Sequence, residues 1–433
     1  MKIEEKFINY ARKLALDEIA EANSGHPGIA LGLAPMLFAV YKQANVNPKK
    51  CDWFNRDRIV LSCGHASSLL YSMLHLFGFN VEIDDLKDFR KLGSITPGHP
   101  EWGVTSGVDA STGALGQGFA TAVGMAMAEA HIGAVYNRKG CEICNHHTFV
   151  ICGDGDLMEG ISYEAASLAG TFKLNKLIAL YDSNDITMTD KLSITNTEDT
   201  KQRFMAAGWN VIVVENGEGF KLIEKAIVKA KQSKTKPTII ICKTIIGYKS
   251  PLEGSPKCHG KPFTKEQVAS ICKNLDVSDV SFEVSQDVYS YAKNLAAEKQ
   301  QTYDLWLKNF DAFKKEFPKF YKEIFENDEK TLLKSLNKIK FSKPLATREA
   351  SNVILNTLAN TSGNFFGGGA DVATSTMAYL NDETNFAHNN YAGKNIPFGV
   401  REHAMGAIVN GIALHGGLKT FASTFLIFSD YMK

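Results

Sequence analysis

A carboxylate and an amide thirty residues apart, Asp154 and Asn184, have the types and surroundings needed to share a hard cation. The run Thr148-Phe-Val-Ile-Cys-Gly153-Asp154-Gly155-Asp156 is followed by Asp182-Ser183-Asn184. In each, an apolar β-branched stretch (Phe149 to Cys152, then Leu177 to Tyr181) ends abruptly in small and oxygen-bearing residues. Between them, Leu157 to Ala169 has a helical pattern that Gly170 is expected to close. This is a strand–helix–strand unit, and in a parallel sheet the two strand ends emerge side by side. Asp154 and Asn184 then aim oxygens at one point. A Mg2+ ion there takes a few protein oxygens and fills its shell with phosphate oxygens. The pattern predicts a metal-bridged diphosphate site. A lone Gly-Asp-Gly would read as a solvated turn, but a turn needs no second strand with a terminal Asn.

Other polar residues fall where such a site needs them. His26, His65, His99 and His259 stand in Gly/Pro turns at predicted element ends, where α/β folds bind ligands. His75, His131, His388 and His415 read as ordinary satisfied polar residues. Gly113-Ala114-Leu115-Gly116-Gln-Gly118 precedes a small-residue helix, Phe119 to Ala130. Its spacing is not the dinucleotide fingerprint. Glycines at a helix start still bring free N–H groups close to an anion.

The elements that position these residues alternate. A first helix runs from Glu4 to Asn23 and stops at Ser24-Gly25-His26-Pro27-Gly28. Strands are expected at 58–61, 210–214 and 237–243, with a helix at 219–231. This is a doubly wound parallel-sheet α/β domain over 1–276. Residues 277–341 lose all strand signal and read as a helical connector. A second α/β unit covers 342–433. There Asn364-Phe-Phe-Gly367-Gly-Gly-Ala-Asp371 again ends a short strand in glycines and a carboxylate, and Phe398-Gly-Val-Arg401-Glu402-His403 opens a small-residue helix. Two or three strands cannot cover both faces of a sheet. The second domain therefore reads as truncated, completed by other chains or left as an unfinished product.

At 433 residues, 44% hydrophobic and 22% charged, the composition is that of a globular protein. A net charge of +1 gives no electrostatic case for nucleic acid or a membrane surface. No run of about twenty apolar residues is evident, and the N-terminus lacks a signal-peptide core, so a cytoplasmic location is expected. Eight scattered cysteines read as reduced thiols. Cys141-x-x-Cys144-x-His146-His147 reads as a loop with two thiols rather than a zinc site, because adjacent strand residues face opposite ways.

Taken in order, SGHPG (24–28), LSCGHAS (61–67), TPGHPE (96–101), STGALGQG (111–118), GDGDLMEG (153–160), DSNDI (182–186), CKTIIGYKSP (242–251), CHG (258–260), GGGADVA (367–373) and FGVREH (398–403) resemble transketolase across the whole chain. That resemblance implies a thiamine diphosphate-binding fold, with Mg2+ or another divalent cation, and sugar phosphate substrates. It implies a homodimer with the cofactor between the first domain of one subunit and the second domain of the other. Asp154, Asn184 and the Ile186 carbonyl resemble the metal ligands. Gly155, His65, Gly113, Ala114, Leu115, Asp371 and Phe428 resemble cofactor contacts, and Phe425 and Tyr431 lie near Phe428 in sequence. His26, His99 and His259 resemble the imidazoles of the substrate channel, with His26 and His259 also taking part in catalysis. Arg348 and Ser375 resemble anchors for the sugar phosphate. Glu402 resembles the carboxyl group that hydrogen-bonds the pyrimidine, and burial is expected to raise its pKa. Ala114, Asp185 and Cys258 stand where the family usually has proline, glycine and serine.

The activity expected is transfer of a two-carbon ketol unit from a ketose phosphate to an aldose phosphate. Two other readings stay open. One is a deoxyxylulose-phosphate synthase-like enzyme, which SGHPG and TPGHPE disfavour. The other is a non-catalytic cofactor-binding or assembly chain, motivated by the short second domain.

Overall fold

The structure, a computed structural model, describes residues 1–326 and 328–433. They form two compact units. The first comprises 1–119, 146–162 and 175–304; the second comprises 120–145, 163–174 and 305–433.

The first unit is built on a parallel sheet in the order β1-β2-β3-β5-β4. Its strands are β1 (Arg58–Leu61), β2 (Thr148–Gly153), β3 (Leu177–Ser183), β4 (Asn210–Val214) and β5 (Thr238–Lys243). β1, β2 and β3 are buried along their whole length, which explains their unbroken apolar runs. The register pairs Gly153 with Asp182, so both strands end at one level. One face is packed by helices Ile3–Ala22, Pro27–Gln43, Ser67–Leu76 and Phe220–Lys231, whose apolar residues share one cluster. Phe7, Phe38 and Phe77 meet there at ring separations of 5.0 to 6.1 Å. Each such ring stabilises the fold by about 2–3 kcal/mol through burial.

Two features depart from the sequence reading. Ser24 to Gly28 is not only a stop: Pro27 is the first residue of a 17-residue helix, a position where its missing N–H costs nothing. Between β2 and β3 there are two helices, Asp154–Met158 and Gly160–Thr171, separated where Glu159 turns extended at ψ 135°. Gly170 lies inside the second and does not close it.

The second unit has a three-stranded parallel sheet, β7-β6-β8. Central β6 (Phe365–Gly369) pairs with β7 (Asn395–Pro397) and β8 (Lys419–Ser423). The sequence reading found β6 and missed the three-residue β7. Helix Glu402–His415 crosses helix Gln117–Tyr136 at contact distance. A Cβ on Gly124 would lie 2.0 Å from the Ile408 carbonyl oxygen, and one on Gly411 equally close to that of Thr121. Trp306 stacks on Phe310 at 4.7 Å and its indole N–H donates to the Ile143 carbonyl at 3.1 Å. The described part of 277–341 contains helices Gln286–Glu316, Pro318–Phe325 and Glu329–Leu336 and no strand.

One helix, Gln117–Tyr136, is long and apolar enough to cross a membrane, although 78% of its apolar window is buried within the protein. Among the described residues all eight cysteines are free thiols.

Candidate active site

The C-terminal ends of β1, β2 and β3 open into a cleft of about 480 Å³, wholly within the first unit. Ligand sites of open parallel sheets lie at this end. Asp154, Asn184, Ile186, Gly155, Gly113, Leu115, His26, His65, His99 and His259 all line it. Ala114 does not; its side chain is exposed between Gly113 and Leu115.

Asp154 is only 5% exposed. The Tyr181 hydroxyl donates to its Oδ1, while Oδ2 is buried with no hydrogen-bond partner among the described residues. Burial, joined by the nearby Asp182 and Asp185 carboxylates, pushes the Asp154 pKa up to about 7 against the opposing Tyr181 bond. A buried, unpartnered carboxylate oxygen is costly unless something positive meets it. Asn184 Nδ2 donates to Asp182 Oδ2 at 3.0 Å, which fixes the amide so that Oδ1 is the free-facing oxygen. Oδ1 accepts the Ile186 N–H at 3.0 Å and keeps a second lone pair. Asp182, held on its other side by the Thr244 hydroxyl, has its pKa pushed up to about 6 by burial. Carboxylate, amide and peptide carbonyl form an all-oxygen donor set of the kind Mg2+ selects. Gly155 leaves open the place where a Cβ would press on Leu115 Cδ1 at 2.8 Å. The residues present therefore fit a divalent cation with an anionic ligand beside it.

Asp185 adopts φ +59°, the left-handed conformation that glycine takes most easily. The chain thus keeps the turn with a short polar residue that tolerates this region. Cys258 is buried and donates its S–H to the Ser255 carbonyl at 3.0 Å.

Sequence reasoning takes the residue that ties the cleft together, with Glu159, for part of an acidic cluster at a subunit contact. Asp156 is fully buried and accepts from the Ser62 hydroxyl (2.6 Å), the Gly116 N–H (2.8 Å) and the Gly153 N–H (2.9 Å). It joins the tip of β1, the glycine-rich loop and the tip of β2. The signal was present as the second Asp of Gly-Asp-Gly-Asp, but its partners lie far away in sequence. Tyr181 was hidden the same way, counted as one apolar residue of β3.

Four imidazoles form one wall of the cleft. His26 has ring centroids 5.2 Å from His65, 5.8 Å from His259 and 6.4 Å from His99; His65 and His259 stack at 5.4 Å. Burial, and then mutual repulsion, lowers the pKa of His26 to about 4 and that of His65 to about 3. Burial also lowers those of His99 and His259. All four are neutral near pH 7, so they can donate and accept hydrogen bonds toward polar hydroxyls. Nδ1 of His26 and of His259 is buried without a partner among the described residues.

A separate recess of about 460 Å³ lies in the second unit. Asp371, Glu402, Phe428 and Tyr431 line it together with Glu164 and His403. Glu402 is half-buried and accepts the Thr424 hydroxyl at 3.2 Å. Glu164, which sequence reasoning did not single out, accepts the Ala404 N–H at 2.9 Å and so holds the helix that starts at Glu402. Arg348 and Ser375 are exposed and line neither recess, and Phe425 is likewise exposed.

Known proteins give this geometry its relatives. Residues 3–332 match the family model for the transketolase thiamine diphosphate binding domain, and residues 343–433 that for the transketolase pyrimidine binding domain. The chain is 46% identical over 440 residues to a transketolase of Geobacillus stearothermophilus, covering 100% of this chain and 66% of the relative. It is 44% identical to a transketolase of Aquifex aeolicus, covering 100% and 63% respectively. Among solved structures, transketolase from Leishmania mexicana superposes with a TM-score of 0.96 at 39% identity, covering all of this chain and 65% of that one. Transketolase from Campylobacter jejuni gives 0.93 at 40% identity, with 100% and 66% covered. The chain therefore spans just under two thirds of the length of these relatives. On these matches, and on an α/β architecture shared from end to end, the chain belongs to the transketolase family.

Proposed function

We propose that this protein transfers a two-carbon ketol unit from a ketose phosphate to an aldose phosphate, using thiamine diphosphate held through a divalent cation. The observation that carries this reading is the buried, unpartnered Oδ2 of Asp154 beside Asn184, in a cleft walled by four neutral imidazoles. In this proposal Asp154, Asn184 and the Ile186 carbonyl hold the metal. Gly155, with the backbone of Gly113, Ala114 and Leu115, receives the diphosphate, and His65 lies against the cofactor. The sequence divides as a diphosphate-binding domain (1–276), a helical connector (277–341) and a pyrimidine-binding domain (342–433). Two subunits pair, so that the cleft of one meets the Glu402 recess of the other.

When bound, thiamine diphosphate would supply the nucleophilic carbon that a two-carbon transfer needs. The protein's part is to bind, orient and move protons. Glu402, steadied by Thr424, would hydrogen-bond the pyrimidine ring nitrogen, with Phe428 and Asp371 lining the same recess. His26, His99 and His259, neutral at working pH, hydrogen-bond the sugar hydroxyls and take up or return protons as the carbon–carbon bond breaks and forms. Arg348 suits the sugar phosphate because its guanidinium bonds phosphate in two places; Ser375 adds a hydroxyl.

The test is a steady-state assay of the purified protein with xylulose 5-phosphate as donor and ribose 5-phosphate as acceptor, with thiamine diphosphate and Mg2+. Ketol transfer is expected, and Glu402→Gln should lower kcat by about a hundredfold or more while leaving cofactor affinity near wild type. No transfer by the wild-type protein, with cofactor shown to be bound, would sink the proposal.

A further inference from the structure

We propose that Arg90 is a positioning residue for the histidine wall: its side chain ties the turn that carries His26 to the loop that carries His99 and so sets the spacing of the two imidazoles. The proposal rests on the reading of the cleft as a sugar phosphate site.

Arg90 sits just after the short helix Ile83–Lys87 with φ +65°. A non-glycine residue there is uncommon, and glycine would hold that backbone more easily. The strain is offset by what the side chain does. Its backbone N–H closes the following loop on the Thr96 carbonyl at 3.0 Å. Its Nη1 reaches back to Ser24 Oγ at 2.8 Å, two residues before His26. Its stem and guanidinium lie against Gly98, one residue before His99. A Cβ on Gly98 would come within 3.3 Å of Arg90 Nε and 3.5 Å of Cγ and Cζ. One side chain thus touches both histidine-bearing segments, which are otherwise more than seventy residues apart in sequence. Arg90 Nε is buried without a partner among the described residues, so the side chain is held by the two turns rather than by an acidic neighbour.

The charge works with the geometry. The Arg90 cation adds to burial in keeping His26 and His99 neutral. His26 also faces His65, His99 and His259, and Arg90 itself faces the Tyr71 hydroxyl, which donates to the Pro97 carbonyl at 2.8 Å. A flexible ammonium can bond Ser24 or lie on Gly98, but it lacks the planar fork that does both.

Two variants test this in the full-length chain. Arg90→Gly deletes the side chain at a backbone conformation that glycine favours, so folding is expected to survive. Histidine-selective NMR should then show the His26 and His99 titration midpoints moving up together while that of His131 stays put. Calorimetric affinity for ribose 5-phosphate should weaken about tenfold. Arg90→Lys keeps the charge; it should return the midpoints toward wild type without restoring the His26–His99 ring contact or the affinity. Unchanged His26 and His99 signals in Arg90→Gly would overturn the proposal. So would full recovery of ring contact and affinity in Arg90→Lys, because charge alone would then suffice. Should the wild-type protein fail to bind ribose 5-phosphate, the substrate reading fails, yet the histidine spectra still decide the role of Arg90.

Discussion

Both sheets end a strand in glycine followed by a carboxylate, and the two tips are built differently. At the end of β2, Asp154 is buried, takes a hydroxyl from Tyr181 on the neighbouring strand and keeps one oxygen unpartnered. Next to it, Asp156 locks three separate segments together. Just past the end of β6, Asp371 is exposed, adopts φ +60° and makes no carboxylate hydrogen bond among the described residues. The same short pattern thus gives a preorganised ion site in one unit and an open rim in the other. What separates them is not the glycine-carboxylate motif but the residues that reach it from elsewhere. Tight packing in the second unit lies instead where helices Gln117–Tyr136 and Glu402–His415 cross on glycines.

The sharpest way to break this contrast is to remove each carboxylate. Asp154→Ala should lower Mg2+-dependent thiamine diphosphate affinity by about a hundredfold or more, near 3 kcal/mol, in calorimetry. Asp371→Ala should cost less than about threefold. Equal losses would show that the buried network gives the first tip no advantage. The next effect reverses the units. Gly411→Ala places a Cβ 2.0 Å from the Thr121 carbonyl oxygen, a backbone atom that cannot swing aside. It should lose about 3 kcal/mol of stability in urea denaturation. Gly155→Ala meets only the end of the Leu115 side chain, so it should cost under about 1 kcal/mol while weakening cofactor binding.

Protonation separates the units by a smaller amount. His131 is fully buried in the second unit, stacks on Phe366 at 4.2 Å and shares a hydrogen bond between its Nδ1 and the Tyr391 carbonyl at 2.8 Å. Burial lowers its pKa to about 4, well below the unfolded value near 6.5. Between these values the unfolded chain binds the extra proton. The stability contribution is thus whole above about pH 6.5 and drains away as pH falls toward 4. Going from pH 7 to pH 5, this one group should account for about 2 kcal/mol of lost stability. His131→Gln, which keeps a donor for Tyr391, should flatten the pH dependence by that amount. The first unit keeps its own part-buried imidazoles, among them His26, His65, His99, His147 and His259, to carry the rest, and an unaltered slope would show that His131 contributes none of the acid lability.

Much of this was legible in the residues themselves. The alternation of β-branched runs with helical stretches announced a parallel sheet, and Asp154 and Asn184 were readable because strand ends in such sheets share one edge. Ten of the residues singled out for the first unit's site line one cleft. Less legible were contacts that depend on distant chain segments. Asp156 has partners at Ser62 and Gly116 that no local pattern names. Pro27 was read as punctuation because a proline that stops one helix looks like a proline that starts the next. Arg348 and Ser375 lie exposed, away from both recesses, because nothing within the chain packs over them.

The smallest change tests whether the contrast between the two tips lies in a single hydroxyl. Tyr181 is on β3, and its O–H occupies Asp154 Oδ1, which leaves Oδ2 as the oxygen facing the cleft. Tyr181→Phe keeps the ring packed and removes only that donor. Asp154 then has two unpartnered oxygens, and its carboxylate can rotate, so it resembles Asp371 in freedom though not in burial. Losing one hydrogen bond to a charged acceptor costs about 1.5–3 kcal/mol. Part of that would return on cation binding, so thiamine diphosphate affinity at subsaturating Mg2+ should fall only about three- to tenfold. The loss should appear in the Mg2+ dependence rather than in the unfolding midpoint. A drop as large as that of Asp154→Ala would mean that Tyr181 sets the ligand geometry outright. No drop would mean that burial alone, without the strand-to-strand bond, distinguishes the first tip from the second.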